Sequence, residues 1–333
     1  MSHLFTLYPW QQQTWQLLQQ SRARQSLAHA FILSGVHGVG LFEFSQQVSA
    51  WLLCHQPSEQ GACGACKSCQ LWLAQSHPDY RLLEQITDEK TGKASQVIKV
   101  DQVRQLVEFL NKSAQLNGYR VAIIHRAENL NVNAANSLLK TLEEAGANTV
   151  IMLITEQPLM LLPTIRSRCQ QLSLAVPEKA QAQAWLQTQL KTSIDTELLL
   201  ALSEGAPLAA LALQDAPWFL ARKALAQNML DVLQKKHSAL QISQQWHKEL
   251  KPEDVLNAIQ LVLADVLLVK LNQNHAIKNS DLLPIISAIA NISSITQILA
   301  QQQQCLNAYH LIAANIQTAL LLDNLWLSFA NKR

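Results

Sequence analysis

Four of the six cysteines fall in one short stretch, and their spacing is that of a metal site. They are Cys54, Cys63, Cys66 and Cys69, in the pattern C-x8-C-x2-C-x2-C. Zinc favours a tetrahedron of thiolates, and a Cys-x2-Cys pair presents two of them on one tight turn. Gly61 and Gly64 supply flexibility for such turns. In a cytosolic protein this spacing favours a metal over disulfides.

The cluster predicts a structural zinc ion rather than a catalytic one, because four thiolates leave no open coordination position. An iron–sulfur cluster is the alternative, although no redox-partner motif accompanies it. A zinc ribbon that contacts DNA is a further alternative, but Lys67 is the only basic residue inside the cluster. The remaining cysteines, Cys169 and Cys305, lie far away in sequence and are expected to be buried and neutral.

A glycine loop, Gly35 to Phe42, has the outline of a phosphate-binding loop without its reactive groups. The motif reads G-x-x-x-x-G-K-[ST]. The glycine positions hold Gly35 and Gly40, with an additional Gly38, but Leu41 stands at the lysine and Phe42 at the hydroxyl. The lysine meets the β- and γ-phosphates and the hydroxyl holds magnesium. ATP is therefore not expected to bind, although the backbone of Gly38 and Gly40 could still cradle an anion.

A second part of an ATPase site is also absent. Such enzymes place an acidic residue after a neighbouring buried strand to hold magnesium. The apolar run 121–124 is followed instead by His125 and Arg126, and Glu128 comes three residues late.

Strands that alternate with helices must position these residues. Apolar runs at 28–33, 121–124 and 149–154 predict buried strands, and helices are expected over 41–54 and 134–144. This alternation predicts an α/β domain with a mostly parallel sheet. No glycine follows Gly205, and the tail shows helical spacing of apolar residues, which predicts an all-α C-terminal domain.

Composition limits the class of protein. The 333 residues suffice for two or three domains, and 49% of them are hydrophobic. A net charge of +2 provides no strong field toward nucleic acid or anionic membrane. The N-terminus lacks the pattern of a signal peptide, and polar residues interrupt the uncharged stretch 282–322. A cytoplasmic protein without a membrane segment is expected.

Several motifs occur together in an order that resembles a known family. They are Leu27-Ala28-His29-Ala30-Phe31 before the glycine loop, the four-cysteine insertion, His77-Pro78-Asp79-Tyr80, the segment NSLLKTLEE at 136–144, and Ser167-Arg168-Cys169. In this combination the chain resembles the delta-prime subunits of the bacterial DNA polymerase III clamp loader, which are AAA+ proteins. The motifs cover residues 1 to about 215, and the tail matches in size and character. Ala145-Gly146 departs from the family, in which a Pro-Pro pair is common at this place.

The resemblance implies three domains: a RecA-like AAA+ domain over 1–175 with the zinc insertion at 54–69, a small helical lid over 176–217, and a helical collar over 218–333. In active relatives an arginine follows the lid motif, whereas Leu208 stands here. The resemblance therefore implies a subunit of the DNA polymerase holoenzyme without ATPase activity of its own.

The resemblance also implies what such a subunit does. It closes one end of an open AAA+ ring, and Arg168 acts as an arginine finger in the ATP site of the neighbouring tau/gamma motor subunit. The delta subunit, the sliding clamp and primed DNA are the other implied partners. Arg166, two residues earlier, could contact the same interface or nothing. Lys112, Arg120 and Lys140 are candidates for contact with the DNA backbone.

Three other functions compete with this one. A self-contained AAA+ motor ATPase would need the missing lysine and magnesium ligands. A zinc-ribbon nucleic-acid-binding protein would need basic and aromatic residues around the cysteines. A purely structural subunit would differ only in that Arg168 does not act.

Overall fold

One parallel sheet organises the first part of the chain. The computed structural model describes residues 7–86, 97–116, 118–190, 194–313 and 318–330. The strands are β1 (Ala30–Ser34), β2 (Tyr80–Leu83), β3 (Arg120–Ile124), β4 (Thr149–Thr155) and β5 (Gln170–Ser173). Their order is β2-β3-β4-β1-β5, and every neighbouring pair is parallel. The predicted α/β class is confirmed.

Helices connect these strands. They are α1 (Gln12–Ala23), α2 (Leu41–Leu53), α3 (Lys67–Leu73), α4 (Val100–Leu110), α5 (Val132–Glu143) and α6 (Pro163–Arg166), with single 3₁₀ turns at Pro9–Gln11, Ala127–Asn129 and Pro158–Met160. Asn131 caps α5, because its side-chain oxygen accepts a hydrogen bond from the Ala134 N–H at 2.8 Å. The helix therefore begins two residues before the sequence prediction. Because all strands run in parallel, the loops that follow them meet at one edge of the sheet.

The three central strands are fully buried, which is why their apolar runs were visible in the sequence. The two edge strands carry exposed side chains instead. The sequence analysis therefore missed β2 and β5. Buried residues of α4 and α5 pack against one side of the sheet, among them Val103, Leu106 and Leu138.

A buried ion pair joins the starts of β2 and β3. Asp79 is 1% exposed and accepts hydrogen bonds from the backbone N–H groups of Gln115 at 2.7 Å and Leu116 at 2.9 Å. Arg120 is 2% exposed and places Nη2 at 3.1 Å from the Asp79 carboxylate. It also donates to the carbonyls of Phe109 and Ser113. The suggestion that Arg120 contacts DNA is therefore wrong, because its guanidinium is buried and binds acceptors inside the domain.

The rest of the chain is helical. Its helices are α7 (Lys179–Gln189), α8 (Thr196–Leu202), α9 (Pro207–Leu213), α10 (Pro217–Leu233), α11 (Ala239–Glu249), α12 (Pro252–Lys270), α13 (Leu283–Ile292), α14 (Ile295–Ala313) and α15 (Thr318–Ala330). The chain separates into two compact units, Met1–Gln181 and Ala182–Arg333. The predicted division into three domains is finer than this and stays a prediction. Residues 191–193 of the predicted lid and 314–317 and 331–333 of the predicted collar lie outside the described residues.

The second unit holds two apolar clusters. One is built from residues of α7 to α10, including Leu186, Leu199 and Phe219. The other fills the centre of α10 to α15, with Ile259 and Trp326 fully buried. Within the described ranges, no single helix has the length and apolar character to cross a membrane, although two sharply bent helix pairs reach those values together.

The Asp79→Asn variant is expected to lose about 3–5 kcal/mol of unfolding free energy, because an amide neutralises the acceptor and leaves the Arg120 charge buried without a counter-charge. Hydrogen–deuterium exchange of β2 and β3 peptides in increasing urea measures this loss. Asp101→Asn is the matched control: Asp101 pairs with Arg104 on the surface at 3.1 Å, and its loss should cost less than about 1 kcal/mol. Equal effects of the two changes would contradict the prediction.

Candidate functional site

The glycine loop between β1 and α2 depends on its glycines for backbone reasons. Gly38 and Gly40 have φ angles of 84° and 82°, in the left-handed region that side chains disfavour. A Cβ on Gly35 would approach the Leu174 carbonyl oxygen to 2.8 Å. The predicted loop is therefore present, and Gly40 stands directly before the first residue of α2.

The N-terminal segment of the chain covers this loop. Trp10 Nε1 donates to the Val39 carbonyl at 2.9 Å, and Gln11 Nε2 donates to the Gly40 carbonyl at 3.0 Å. Gln11 is 1% exposed, although it is polar. The ring of Tyr8 would lie 3.0 Å from a Cβ on Gly40. This cover was not predicted from the sequence, in which its only signal is the group of large side chains in Tyr8-Pro9-Trp10.

Apolar and aromatic groups occupy the positions that the motif reserves for the lysine and hydroxyl. Leu41 is 7% exposed and belongs to the core. The Phe42 ring packs against the His125 ring with centroids 4.8 Å apart. His125 Nδ1 lies 3.7 Å from the Glu84 carboxylate, so the strand ends β2 and β3 both contribute to this cluster. The structure thus brings together two residues, Phe42 and His125, that each replace a magnesium-binding group.

The acidic residue Glu128 does not directly follow β3. It lies in the 3₁₀ turn after Arg126, whose own φ of 53° is left-handed. One Glu128 carboxylate oxygen is buried, with no hydrogen-bond partner among the described residues. Leu208 lies on α9, half-buried, and carries no charge.

The four predicted cysteines converge. The Sγ atoms of Cys54, Cys63, Cys66 and Cys69 all lie within 4.8 Å of one another. Cys54 and Cys66 are 4.0 Å apart, and Cys63 and Cys69 are 3.9 Å apart. A tetrahedron with metal–sulfur bonds of about 2.3 Å has edges of about 3.8 Å, whereas a disulfide measures about 2.05 Å. The cluster could therefore hold one metal ion, and its geometry does not fit disulfides.

Backbone amides prepare part of the cluster for the anionic form. Backbone N–H groups of Ala65 and then Cys66 lower the pKa of the exposed Cys63 thiol to about 6. Burial raises the pKa of Cys69 instead. Amides of Gln56 and Cys63 each donate to the sulfur of Cys54 at 3.3 Å. A bound cation would supply the positive counter-charge that buried thiolates need.

The cluster is tied to the sheet through His77. The Asp79 backbone N–H donates to His77 Nδ1 at 3.1 Å, so Nε2 carries the proton of the neutral ring. Nε2 lies 2.8 Å from the Ser68 hydroxyl, which in turn donates to the Leu53 carbonyl at 2.6 Å. Ser68 lies between two of the cysteines, and Leu53 precedes a third. The motif His77-Pro78-Asp79 thus joins the cysteine cluster to the start of β2.

Arg168 lies just beyond α6, near the end of α5. Its Nε donates to the Glu143 carboxylate at 2.6 Å, and Nη2 contacts the same oxygen. Its Nη1 donates to the Thr164 carbonyl at 2.9 Å. The Arg168 side chain is 32% exposed, so a group from another molecule can reach it.

The other basic candidates are also on the surface. Lys112 and Lys140 are exposed, and Arg166 is half-buried at the end of α6. The two distant cysteines are buried as expected, and burial raises the pKa of both Cys169 and Cys305 to about 12.

Two families match most of the chain. The family described as DNA polymerase III, delta subunit, matches residues 10–178, and the one described as DNA polymerase III, delta subunit, C terminal, matches residues 217–331. The DNA polymerase III subunit delta' of Pseudomonas aeruginosa is 36% identical over 336 residues, with 98% of each chain covered. That of Yersinia pestis is 34% identical and covers 97% of this chain and 95% of the relative. That of Escherichia coli K12 is 39% identical over 66% of this chain and 64% of the relative.

Solved structures give more distant likenesses. A DNA polymerase III, gamma subunit-related protein from Thermotoga maritima is 18% identical, covers 95% of this chain and 98% of its own, and has a TM-score of 0.48. The DNA clamp loader delta protein of Bacillus subtilis is 12% identical, covers 96% of this chain and 100% of its own, and has a TM-score of 0.35.

The first unit, Met1–Gln181, is expected to lose stability as the pH falls through about 6.5, the ordinary pKa of histidine. Burial lowers the pKa of His77 in the folded chain. As the pH falls below about 6.5, the unfolded chain therefore binds a proton at this residue before the folded chain does. Above that pH the contribution of His77 to the free energy of unfolding is fully present. Below it, the free energy of unfolding falls by up to about 1.4 kcal/mol per pH unit. Urea unfolding from pH 8 to 5.5, followed by tryptophan fluorescence, measures the slope. His77→Asn should flatten it, whereas changing the exposed His275 should not. An unchanged slope in His77→Asn would refute this assignment.

Proposed function

The chain belongs to the delta-prime subunit family of DNA polymerase III, and from that premise we propose that it is a clamp-loader subunit that hydrolyses no ATP itself. The observation that carries the proposal is the contact between Phe42 and His125. Two positions that hold magnesium in an active site instead carry rings in contact with each other. The buried Leu41 and the covered loop carbonyls support the same conclusion, so ATP is not an expected ligand of this chain.

The active part of the proposal is Arg168, which completes the ATP site of a neighbouring motor subunit of the tau/gamma type. Finger arginines stabilise charge that develops on the transferred phosphoryl group. Arg168 is accessible, and its backbone lies between the buried Ile165 and Cys169, so its position is fixed by the core. A purely structural subunit would gain nothing from an arginine held in this way.

The metal of the cysteine cluster is proposed to be zinc, in a structural role. Four thiolates with sulfur separations of 3.9 and 4.0 Å suit a tetrahedral ion of that size. An ion there would hold α3 to the end of α2, because the ligands Cys54 and Cys69 belong to those two segments. A nucleic-acid-binding ribbon is not favoured, since Lys67 is the only lysine or arginine between the first and last ligands.

The helical second unit is proposed to hold the subunits together. Apolar side chains remain exposed along one side of α14, where Ile295, Leu299 and Leu306 follow helical spacing. Leu320 and Leu327 do the same on α15. Such surfaces are typical of subunit interfaces. The delta subunit, the sliding clamp and primed DNA in the cytoplasm complete the proposed setting, with Lys112 and Lys140 as candidate contacts to the DNA backbone.

The purified chain is expected to contain one zinc ion, measured by mass spectrometry of the metal and by release with a thiol-reactive mercurial. Cys63→Ser should lose the metal because it removes one of four ligands while replacing an exposed side chain. Cys169→Ser is the control and should retain it, since Cys169 is outside the cluster. Iron together with visible absorption would identify an iron–sulfur cluster and contradict the zinc assignment.

Arg168→Ala is expected to lower ATP hydrolysis at the site it completes by roughly 10³-fold. In a complex reconstituted with motor subunits, delta, clamp and primed DNA, single-turnover hydrolysis would show this as the loss of one site. Assembly, followed by gel filtration, should be unchanged because the side chain is half-exposed.

Arg166→Ala is the neighbouring control and should hydrolyse ATP like the parent complex. The isolated chain should show no ATP binding or turnover. Unchanged hydrolysis in the Arg168→Ala complex would leave a structural role only, and turnover by the isolated chain would make it a motor ATPase.

A further inference from the structure

We propose that Glu143 is a positioning residue that aims the guanidinium of Arg168 at the neighbouring ATP site; this inference rests on the finger function proposed above. A guanidinium offers five N–H donors in a rigid planar fork. Glu143 takes the edge formed by Nε and Nη2 with a single carboxylate oxygen. The Thr164 carbonyl at 2.9 Å and the Ser167 hydroxyl at 3.4 Å hold Nη1.

This arrangement determines which N–H group of the arginine remains for a phosphate. Charge-assisted hydrogen bonds from a guanidinium to a phosphate oxygen are among the strong ones. With Nε and one Nη2 hydrogen on Glu143, and Nη1 on Thr164 and Ser167, the second N–H of Nη2 is the donor left for a phosphate oxygen. The carboxylate therefore fixes the orientation of the fork and leaves its outer end toward solvent. Without Glu143 the long Arg168 side chain would sample several rotamers. The entropy cost of ordering it would then add to the barrier for ATP hydrolysis.

Both partners are attached to rigid backbone. Leu142, directly before Glu143, is 1% exposed, and its carbonyl accepts a 2.7 Å hydrogen bond from His29 Nε2 at the start of β1. Ile165 is fully buried three residues before Arg168. The segment that carries Glu143 and the tripeptide Ser167-Arg168-Cys169 were two separate motifs in the sequence. The ion pair between Glu143 and Arg168 brings these two motifs into direct contact.

The pair contributes little to folding, which makes its function measurable. The side chains of Arg168 and Glu143 are 32% and 47% exposed, and ion pairs with this exposure add little to stability. A Glu143→Gln variant keeps the shape and loses the charge, so it should fold and assemble. A large change in ATP hydrolysis would then report on orientation of the finger rather than on stability.

The test compares Glu143→Gln, Arg168→Ala and the double variant in the reconstituted complex with clamp and primed DNA. In single-turnover hydrolysis at the site that Arg168 completes, Glu143→Gln should lower the rate constant at saturating ATP roughly 3- to 10-fold. The half-saturating ATP concentration should stay unchanged, because a misoriented finger weakens only the transition state. In the Arg168→Ala background the same change should have less than about a twofold effect, because Glu143 acts through Arg168. Glu144→Gln, on the adjacent exposed residue, is the matched control and should be silent.

The outcomes separate the two proposals. No effect of Arg168→Ala would overturn the finger function itself. A strong effect of Arg168→Ala with a silent Glu143→Gln would overturn the positioning role alone. Faster hydrolysis in Glu143→Gln would also overturn it, because the carboxylate would then restrain the finger. Equal losses from Glu143→Gln with and without Arg168 would mean that Glu143 acts on its own.

Discussion

The buried carboxylate of Asp79 is the interaction on which much of the first unit depends. On one side it fixes the loop after α4 and the Arg120 guanidinium at the start of β3. On the other side the backbone N–H of Asp79 sets the tautomer of His77, which reaches the cysteine cluster through Ser68. A polar group this deep is stable only when every partner is present. The cysteine insertion is therefore an extension of the sheet's own hydrogen-bond network rather than an appendage.

The parallel sheet explains how a nucleotide site can be lost while its frame survives. β1, β3 and β4 are packed by apolar side chains that make no use of a ligand. The glycines at 35, 38 and 40 are required by backbone angles and close contacts, so they would persist without phosphate. At this loop Phe42 packs against His125, and the side chains of Trp10 and Gln11 donate hydrogen bonds to the loop carbonyls.

The sequence predicted what depends on local pattern and short spacing. The buried strands, the helical tail, the glycine loop and the convergence of Cys54 with Cys63, Cys66 and Cys69 could all be inferred in this way. The edge strands β2 and β5 were missed because they lack an apolar run. Arg120 was misassigned because nothing in its neighbourhood indicates that a carboxylate forty-one residues away would bury it. Long-range polar pairs carry no periodicity, so single-sequence reasoning has no means to find them.

The same limit applies to Arg168, the proposed finger, and to its partner Glu143. Glu143 follows the periodic pattern of α5 and belongs, by that pattern alone, to a solvated helix end. Arg168 stands in a tripeptide of ordinary loop composition. Only the fold shows that the end of α5 and the residues after α6 bring the two charges into contact. A half-exposed pair of this kind adds little stability, so its presence is better explained by the orientation it imposes than by the energy it contributes.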